Sequence, residues 1–219
     1  MKKPDDHWMS ISDLMSGLMM VFLLIAVFFI FQVQKGINDY AEAKAYIYDE
    51  LYDEFKDDLP RWKADIDEKT LSIRFQEPDV LFESGSHELS PKFVAILNDF
   101  IPRYINRLYN SKYSGSIEEI RIEGHTDPHW KGAVDRQTEY LNNMNLSQLR
   151  TQAVLSYVIR KEELQDKLEW MITRMTANGL SSSQPVFVNN VVDSERSRRV
   201  EFRVRTNADE KLNELHEGY

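Results

Sequence analysis

Apolar residues are concentrated in one uninterrupted stretch near the start of the chain. No charged residue occurs from Leu14 to Phe31, and only Ser16 and Gly17 interrupt the large apolar side chains. As a helix with a rise of 1.5 Å per residue, this stretch spans about 27 Å, and residues 11–33 span about 34 Å, against a hydrocarbon core of about 30 Å. The pattern predicts one transmembrane helix over residues 11–33, preceded by a short tail of residues 1–10.

A cleaved signal peptide is the alternative interpretation of this stretch, because a basic start and an apolar run are typical of one. The run is longer than the usual core of a signal peptide, and no small-x-small cleavage pattern follows it before Tyr40. We therefore favour a retained anchor. The positive-inside count leaves its orientation open, since two lysines lie on each side: Lys2 and Lys3 before the run, Lys35 and Lys44 after it.

Residues 34–63 carry a second pattern, dense in charge and tyrosine. Bulky and amphipathic side chains recur there at three- and four-residue steps, which is typical of an amphipathic helix: Ile37, Tyr40, Ala41, Lys44, Tyr48, Leu51 and Phe55. We predict a helical connector. The stripe needs a partner, so contact with a second copy of the chain is the preferred interpretation, and a solvated connector is the alternative.

Residues 64–208 change to the mixed pattern of an α+β domain. Alternation predicts strands at residues 70–75, 117–123 and 199–205, and a further strand fits residues 171–177. Three- and four-residue periodicity predicts one helix that opens at Ser90-Pro91 and a second over residues 147–160. Alternating strands and helices predict a mixed sheet with helices packed on one face. Residues 209–219 form a polar tail.

Composition excludes several functions. The net charge of −9 and a pI near 5.1 provide no basic surface for nucleic acid. Cysteine is absent, which excludes disulfides and thiolate metal sites. No Gly-x-Ser-x-Gly elbow and no phosphate-binding glycine loop occurs, so we predict neither an enzyme nor a bound cofactor.

Asp13 is the residue in the membrane segment that most needs an explanation. A carboxylate inside a membrane helix costs on the order of 3 kcal/mol, and such residues usually face protein, a water path or a proton relay. Helical spacing places Asp13 on one face with Ser10, Ser16 and Gly17, and small residues let a second helix approach closely. The alternative is that Asp13 caps the helix in the headgroup region.

A resemblance favours the first interpretation. Trp8 and the segment from Ser12 to Leu24 resemble the transmembrane helix of the MotB family of stator subunits. In that family a tryptophan, then an aspartate, then an apolar helix rich in methionine and small residues marks the ion-carrying segment. The resemblance implies that Asp13 binds the coupled ion, H⁺ or Na⁺. It also implies a dimer contact or an ion-blocking plug in residues 34–63.

The C-terminal residues resemble the OmpA-like peptidoglycan-binding domain. The matching segments occur in family order: Phe82 before Leu89, Gly124 to Asp127, Asn143 to Arg150, Gly179, and Arg198 to Phe202. The resemblance implies that Asp127 binds the ammonium of a diaminopimelate group and Arg150 its carboxylate, with Asn143 and Thr126 nearby. An acceptor beside a fork-shaped donor suits such a ligand chemically.

The segment between the aspartate and the asparagine departs from the family. Residues 128–142 are several residues longer than is typical, and they include His129 and Trp130, which either add a stacking surface or cover the site. A metal centre of His125, Asp127 and His129 is the rival interpretation, since these residues alternate. Pro128 interrupts strand geometry between the last two, so we predict no metal site.

Together the two resemblances imply a single-pass inner-membrane protein with a cytoplasmic N-terminus and a periplasmic C-terminal domain. Its short N-terminal tail and longer 128–142 segment are most similar to the ZorB-type subunits of Zorya anti-phage defence systems. That similarity implies a MotA/ZorA-like multi-pass partner, with five copies around two of this chain, and hence a self-dimer. A flagellar stator subunit and a passive peptidoglycan anchor are the alternatives.

Overall fold

The computed structural model describes residues 7–76, 81–82 and 86–207, with side chains omitted for residues 7–11, 37, 39 and 40. The predicted tail of residues 209–219 and the first six residues of the N-terminal tail lie outside this range. The chain divides into two compact units, residues 1–42 and residues 43–219.

The first unit consists of one helix, α1, which runs from His7 to Phe55 and so ends within the second unit. A window of this helix after Ser12 has a mean hydropathy of 2.8, is wholly exposed, and is long and apolar enough to cross a membrane once. Its exposed face includes Leu14, Phe22 and Phe29. Large apolar side chains without protein contacts are what a lipid-facing helix presents.

The second unit contains a five-stranded mixed sheet with helices on one face, as the sequence predicted. The strand order is β1-β2-β7-β3-β4, in which β3 and β4 are parallel and the other neighbours antiparallel. A separate hairpin pairs β5 with β6. The strands are β1 Ala64–Asp67, β2 Ser72–Gln76, β3 Ile117–His125, β4 Met175–Gly179, β5 Phe187–Val188, β6 Val191–Val192 and β7 Arg199–Thr206.

Short helices and two long ones join these strands. They are α2 Leu59–Trp62, α3 Pro91–Asn110, α4 Arg136–Ile159, α5 Leu168–Ile172 and α6 Ser194–Ser197, with 3-10 turns at Ser114–Ser116 and Glu162–Lys167. Helix α3 begins as predicted, because the Ser90 side chain accepts a hydrogen bond from Phe93 N–H and a proline follows it.

Phe100 of α3 lies at the centre of the hydrophobic core. Its ring centroid is 5.1 Å from those of Phe55, Phe75 and Phe202, which belong to α1, β2 and β7. Offset aromatic pairs at this spacing add about 0.5–1.5 kcal/mol each beyond the burial of apolar area. The core therefore joins the end of α1 to the sheet.

The structure differs from the predicted connector over residues 34–63. The side chains of Ala43, Ile47, Leu51 and Phe55 repeat every four residues and are buried in the second unit. Leu51 and Phe55, which we assigned to a contact with a second copy, pack against the core of their own domain. The compact domain thus begins at residue 43 rather than at residue 64.

Polar contacts hold the end of α1 and the turn after it against α3. Arg103 Nε donates to Glu54 Oε1 at 2.7 Å, and its NH1 donates to Asp58 Oδ2 at 2.7 Å. Burial alone would raise the pKa of Glu54, but hydrogen bonds from Arg103 and Arg107 hold that pKa below its ordinary value. The apolar pattern of the sequence does not predict this network of ion pairs.

Three element boundaries differ from those predicted, each for a local reason. Strand β2 begins two residues later, because Asp67 Oδ1 accepts from Thr70 N–H and fixes a turn. Helix α4 begins at Arg136 rather than 147, since the Asp135 side chain caps it by accepting from Thr138 N–H. Strand β4 begins at Met175 rather than 171, because residues 168–172 form a helix.

Candidate functional site

Two glycines allow α4 to lie directly on the sheet. Gly124 of β3 and Gly179 of β4 are paired in register. A Cβ atom at Gly124 would lie 2.7 Å from Thr151 Cγ2, and one at Gly179 would lie 2.4 Å from the backbone nitrogen of Gln148. Ser147 Oγ also accepts from Ser181 N–H at 3.1 Å. These contacts fix the middle of α4 over the ends of both strands.

The loop after β3 carries two of the four residues predicted to bind peptidoglycan, and a third, on α4, contacts that loop. Asn143 of α4 donates from Nδ2 to the Asp127 carbonyl at 3.1 Å and to the His129 carbonyl at 3.4 Å. Thr126 N–H donates to the Ser181 carbonyl at 2.9 Å. All three predicted residues, Thr126, Asp127 and Asn143, are buried. Asn143 therefore acts on the loop backbone and sets the position of Asp127.

Both oxygens of the Asp127 carboxylate have partners within the chain. Oδ1 accepts from His129 N–H at 2.9 Å, and Oδ2 accepts from Arg198 NH1 at 3.0 Å. Arg198 was noted as part of a family segment, but no role was predicted for it. Because 71 residues separate the two, only the paired strands β3 and β7 bring them together.

Arg150, the fourth predicted residue, is positioned by different groups. It lies seven residues after Asn143 on α4, which places both on one face of the helix. Its Nε donates to the Ser86 carbonyl at 2.9 Å, and its guanidinium carbon lies 4.8 Å from the centroid of the Phe82 ring. A guanidinium over an aromatic face is held in a defined orientation. Phe82 also forms an isolated antiparallel β-bridge with Leu89.

The longer 128–142 segment forms a turn and the first turns of α4. Trp130 N–H donates to Glu139 Oε1 at 3.3 Å, which ties the turn to the helix. His129 is exposed and Trp130 is partly buried. The two roles of His129 and Trp130, a stacking surface for a ligand or a cover over the site, stay predictions.

His125 joins a different group from the metal set considered above. Its Nε2 lies 3.8 Å from Glu123 Oε2 and 3.7 Å from Glu201 Oε1, and the three side chains are buried on the sheet face away from the helices. Glu201 is already paired with Arg199 at 2.5 Å and Arg74 at 3.3 Å. Burial would raise the pKa of Glu201, but Arg199 and the other cationic neighbours lower it. Guanidinium groups this close oppose the entry of a divalent cation.

Asp13 lies inside α1 rather than at its start. The helix is continuous from His7, so Asp13 lies about 1.7 turns beyond the first described helical residue. A capping residue lies at the helix boundary, and that position does not fit Asp13. The side chains of Asp13 and Ser16 are exposed, and a Cβ atom at Gly17 would meet no atom within 4 Å.

Comparison with known proteins identifies the family. No protein-family profile matches the chain. The chain is 44% identical to the Zorya protein ZorB of Escherichia coli strain Crooks, over 96% of this chain and 92% of that protein. The chain belongs to the ZorB family. The match includes the membrane helix as well as the domain, because it covers nearly the whole of both chains.

Two solved structures are similar to the ZorB-family domain, and the first of them supports its fold. A MotB-like protein from Desulfovibrio vulgaris is 28% identical, with a TM-score of 0.55 over 75% of this chain and 92% of that one. The cell wall anchor of the type VI secretion system from Pseudomonas aeruginosa is 22% identical, with a TM-score of 0.49 over 71% of this chain. The first likeness confirms the predicted MotB-like α+β domain.

Proposed function

We propose that this ZorB-family chain is the stator subunit of a proton-driven membrane motor in anti-phage defence. In this proposal, protonation of Asp13 drives movement of a MotA/ZorA-like partner, while the C-terminal domain holds the complex to peptidoglycan. The observation that carries the proposal is an exposed carboxylate inside a membrane-length helix, in the same chain as a MotB-like domain. The identity with ZorB supports a defence role over a flagellar one.

The proposed coupling at Asp13 rests on the cost of charge in a membrane. A carboxylate and its neutral acid differ greatly in that cost, so binding a proton changes which helix contacts are favourable. The open surface at Gly17, one turn from Asp13, supports close approach of a partner helix. The helix face that carries Asp13 and Gly17 would then contact the partner subunits, with five of them arranged around two copies of this chain.

The proposed anchor is the loop after β3. Asp127 would supply the acceptor for the ammonium of a diaminopimelate group, and Arg150 the donor for a carboxylate. The backbone contacts of Asn143 and Thr126 support a fixed geometry, which reduces the entropy lost when a ligand binds. A domain that binds the cell wall belongs in the periplasm, so the N-terminus of the chain would be cytoplasmic in the inner membrane.

Substitution of Asp13 tests the motor. Asp13→Asn keeps the size and polarity of the side chain but cannot bind and release a proton. We expect this variant to lose protection against phage and to lose ion flux with its partner present, while expression and peptidoglycan binding stay at the wild-type level. Ser16→Ala lies on the same face and carries no titratable group, so it should keep both activities. Full protection by Asp13→Asn would leave a passive anchor as the function.

Pull-down with purified cell-wall sacculi tests the anchor separately. Asp127→Ala and Arg150→Ala in the full-length chain should each reduce binding at least tenfold, since a charge-assisted hydrogen bond contributes about 1.5–3 kcal/mol. Glu162→Ala removes an exposed carboxylate on the 3-10 turn after α4 and should bind normally. If Asp127→Ala and Arg150→Ala bind sacculi as well as Glu162→Ala does, neither Asp127 nor Arg150 binds peptidoglycan.

A further inference from the structure

An open groove lies beside the second half of α4. Its cavity volume is about 510 Å³, which is within the range of pockets that hold small ligands. The lining includes Leu89, which precedes α3, Ser156 and Tyr157 of α4, and Arg160 and Lys161 after that helix. None of these residues belongs to the loop after β3, so the groove is separate from the contacts of that loop.

The groove continues the helix face that carries two of the predicted ligand residues. Asn143, Arg150 and Tyr157 follow one another at intervals of seven residues, which places all three on one face of α4. The Arg150 guanidinium lies over the Phe82 ring, and Phe82 is bridged to Leu89 of the groove. A ligand bound at Arg150 can therefore extend into the groove along the surface of the domain.

Hydrogen bonds fix the tyrosine of the groove before any ligand binds. Asn98 Oδ1 of α3 accepts from the Tyr157 hydroxyl at 2.5 Å and from Lys161 Nζ at 2.6 Å. The Lys161 side chain is only 9% exposed, and its ammonium lies 5.5 Å from the centroid of the Tyr157 ring. A ring with a set orientation loses little entropy when a ligand packs against it.

The charges of the groove suit a neutral ligand. Arg160 is exposed and forms no hydrogen bond or ion pair within the part of the chain that the structure describes, so its donors are available. The exposed carboxylates of Glu162 and Glu163 balance the charges of Arg160 and Lys161. Without a net charge the groove does not favour an anion. A tyrosine ring beside free donors matches a sugar, which has C–H groups on its faces and polar groups around its edge.

We propose that this groove binds the N-acetylmuramyl sugar that carries the peptidoglycan stem. This inference rests on the proposed anchoring function and extends the anchoring site along α4. The C–H face of the sugar packs against the Tyr157 ring, and Arg160 donates to the carbonyl oxygen of the acetamido group. Glu162 and Glu163 contact no part of the sugar.

The length of the stem fits this position. An alanine and a glutamate separate diaminopimelate from the sugar, so the sugar is attached at the third step from the anchored residue. Three steps of an extended chain cover about 10–11 Å, and the γ-linkage of the glutamate lengthens this slightly. Tyr157 lies about 10.5 Å beyond Arg150 along the axis of α4. The sugar therefore reaches Tyr157 when diaminopimelate is bound at Arg150.

The test compares two ligands on the full-length chain in detergent. One is the tripeptide alanyl-γ-glutamyl-diaminopimelate with an acetylated N-terminus, and the other is the same tripeptide joined to N-acetylmuramic acid. The wild type should bind the sugar-bearing peptide about tenfold more tightly, since one hydrogen bond and one packed ring face together give about that ratio.

Three variants locate the sugar. Ser156→Trp fills the groove, so it should bind the sugar-bearing peptide no better than the plain tripeptide and leave tripeptide binding unchanged. Arg160→Ala removes the free donors at an exposed position, where folding does not depend on them, and should lose part of the preference. Tyr52→Ala is the matched control, because Tyr52 is an exposed tyrosine on α1 outside the groove, and it should keep the full preference.

The outcomes separate this inference from the anchoring function. If the wild type binds neither sacculi nor the tripeptide, the proposed anchor is wrong and the inference fails with it. If the wild type binds both peptides equally well, the anchor stands and the groove does not bind the sugar. A full preference in folded Ser156→Trp or in Arg160→Ala would also overturn the inference, and so would a loss of preference in Tyr52→Ala.

Discussion

Replacement of Gly179 by alanine tests whether α4 needs its close approach to the sheet. The added Cβ would lie 2.4 Å from the backbone nitrogen of Gln148 and 2.7 Å from its Cα, whereas Cβ atoms in proteins are essentially never closer than 3.0 Å to such neighbours. The clashing atoms are helix backbone and cannot rotate away. Helix α4 must therefore move outward, or β4 must bend.

The cost follows from these contacts. Overpacking of this kind costs about 1–3 kcal/mol. Movement of α4 also lengthens two hydrogen bonds, from Gly179 N–H to Gln148 Oε1 at 2.8 Å and from Ser181 N–H to Ser147 Oγ at 3.1 Å. With about 2–4 °C per kcal/mol for a domain of this size, we expect the melting temperature to fall by about 3–10 °C. The same movement takes Asn143 away from the Asp127 loop.

Thermal unfolding and sacculus binding of the full-length chain measure both effects. Gly124→Ala meets the Thr151 methyl at 2.7 Å and a carbonyl at 2.9 Å, so it should destabilise less than Gly179→Ala. Gly115→Ala is the matched control, because its Cβ meets no atom within 4 Å. It should change stability by less than about 1 kcal/mol. Equal melting temperatures for Gly179→Ala and Gly115→Ala would refute the close packing of α4.

Two further predictions concern stability of the core. Tyr104→Phe should stabilise the domain by about 1 kcal/mol, measured by denaturant unfolding. The Tyr104 hydroxyl is fully buried with no hydrogen-bond partner among the described residues, and burial raises its pKa. A loss of stability would show that the hydroxyl has a partner. Glu54→Gln should cost about 1–2 kcal/mol at neutral pH. The folded pKa of Glu54 is lowered, so its contribution is complete above its ordinary pKa and is lost as the pH falls through the lower, folded value. The variant should therefore differ from the wild type near pH 7 and converge with it in acid; an unchanged difference below about pH 3 would contradict this account.

The sequence predicted the fold because its periodic segments are long. Helix α3 has its apolar residues on one face, and Phe93, Leu97 and Phe100 are all buried as that face requires. Strands β3 and β7 alternate between apolar residues on the helix side and charged residues on the other. Such regular patterns depend on local spacing alone, so they can be read without knowledge of the neighbours.

Contacts between residues far apart in the sequence set the element boundaries that differ from the predicted ones. The spacing of the apolar stripe at the end of α1 indicates that it needs a partner, but not which partner. Ile47 and Leu51 meet the core of the same domain, and Arg103, from a helix much later in the chain, fixes the junction. We predicted a strand from residue 171, yet residues 168–172 form a helix, and Thr173 Oγ1 donates to the Glu169 and Trp170 carbonyls at its end.

Register explains why Arg198 was missed at a site whose other members were predicted. His125 lies opposite Arg199 in the β3–β7 pairing, so Arg198 and Asp127 leave the paired strands at the same end of the sheet. A slip of one residue would move Arg199 to the helix face and carry Arg198 away from the carboxylate. Residue type alone indicates that either arginine of this pair can bind a carboxylate. Only the register decides that Arg199 pairs with the buried Glu201 and leaves Arg198 to pair with Asp127.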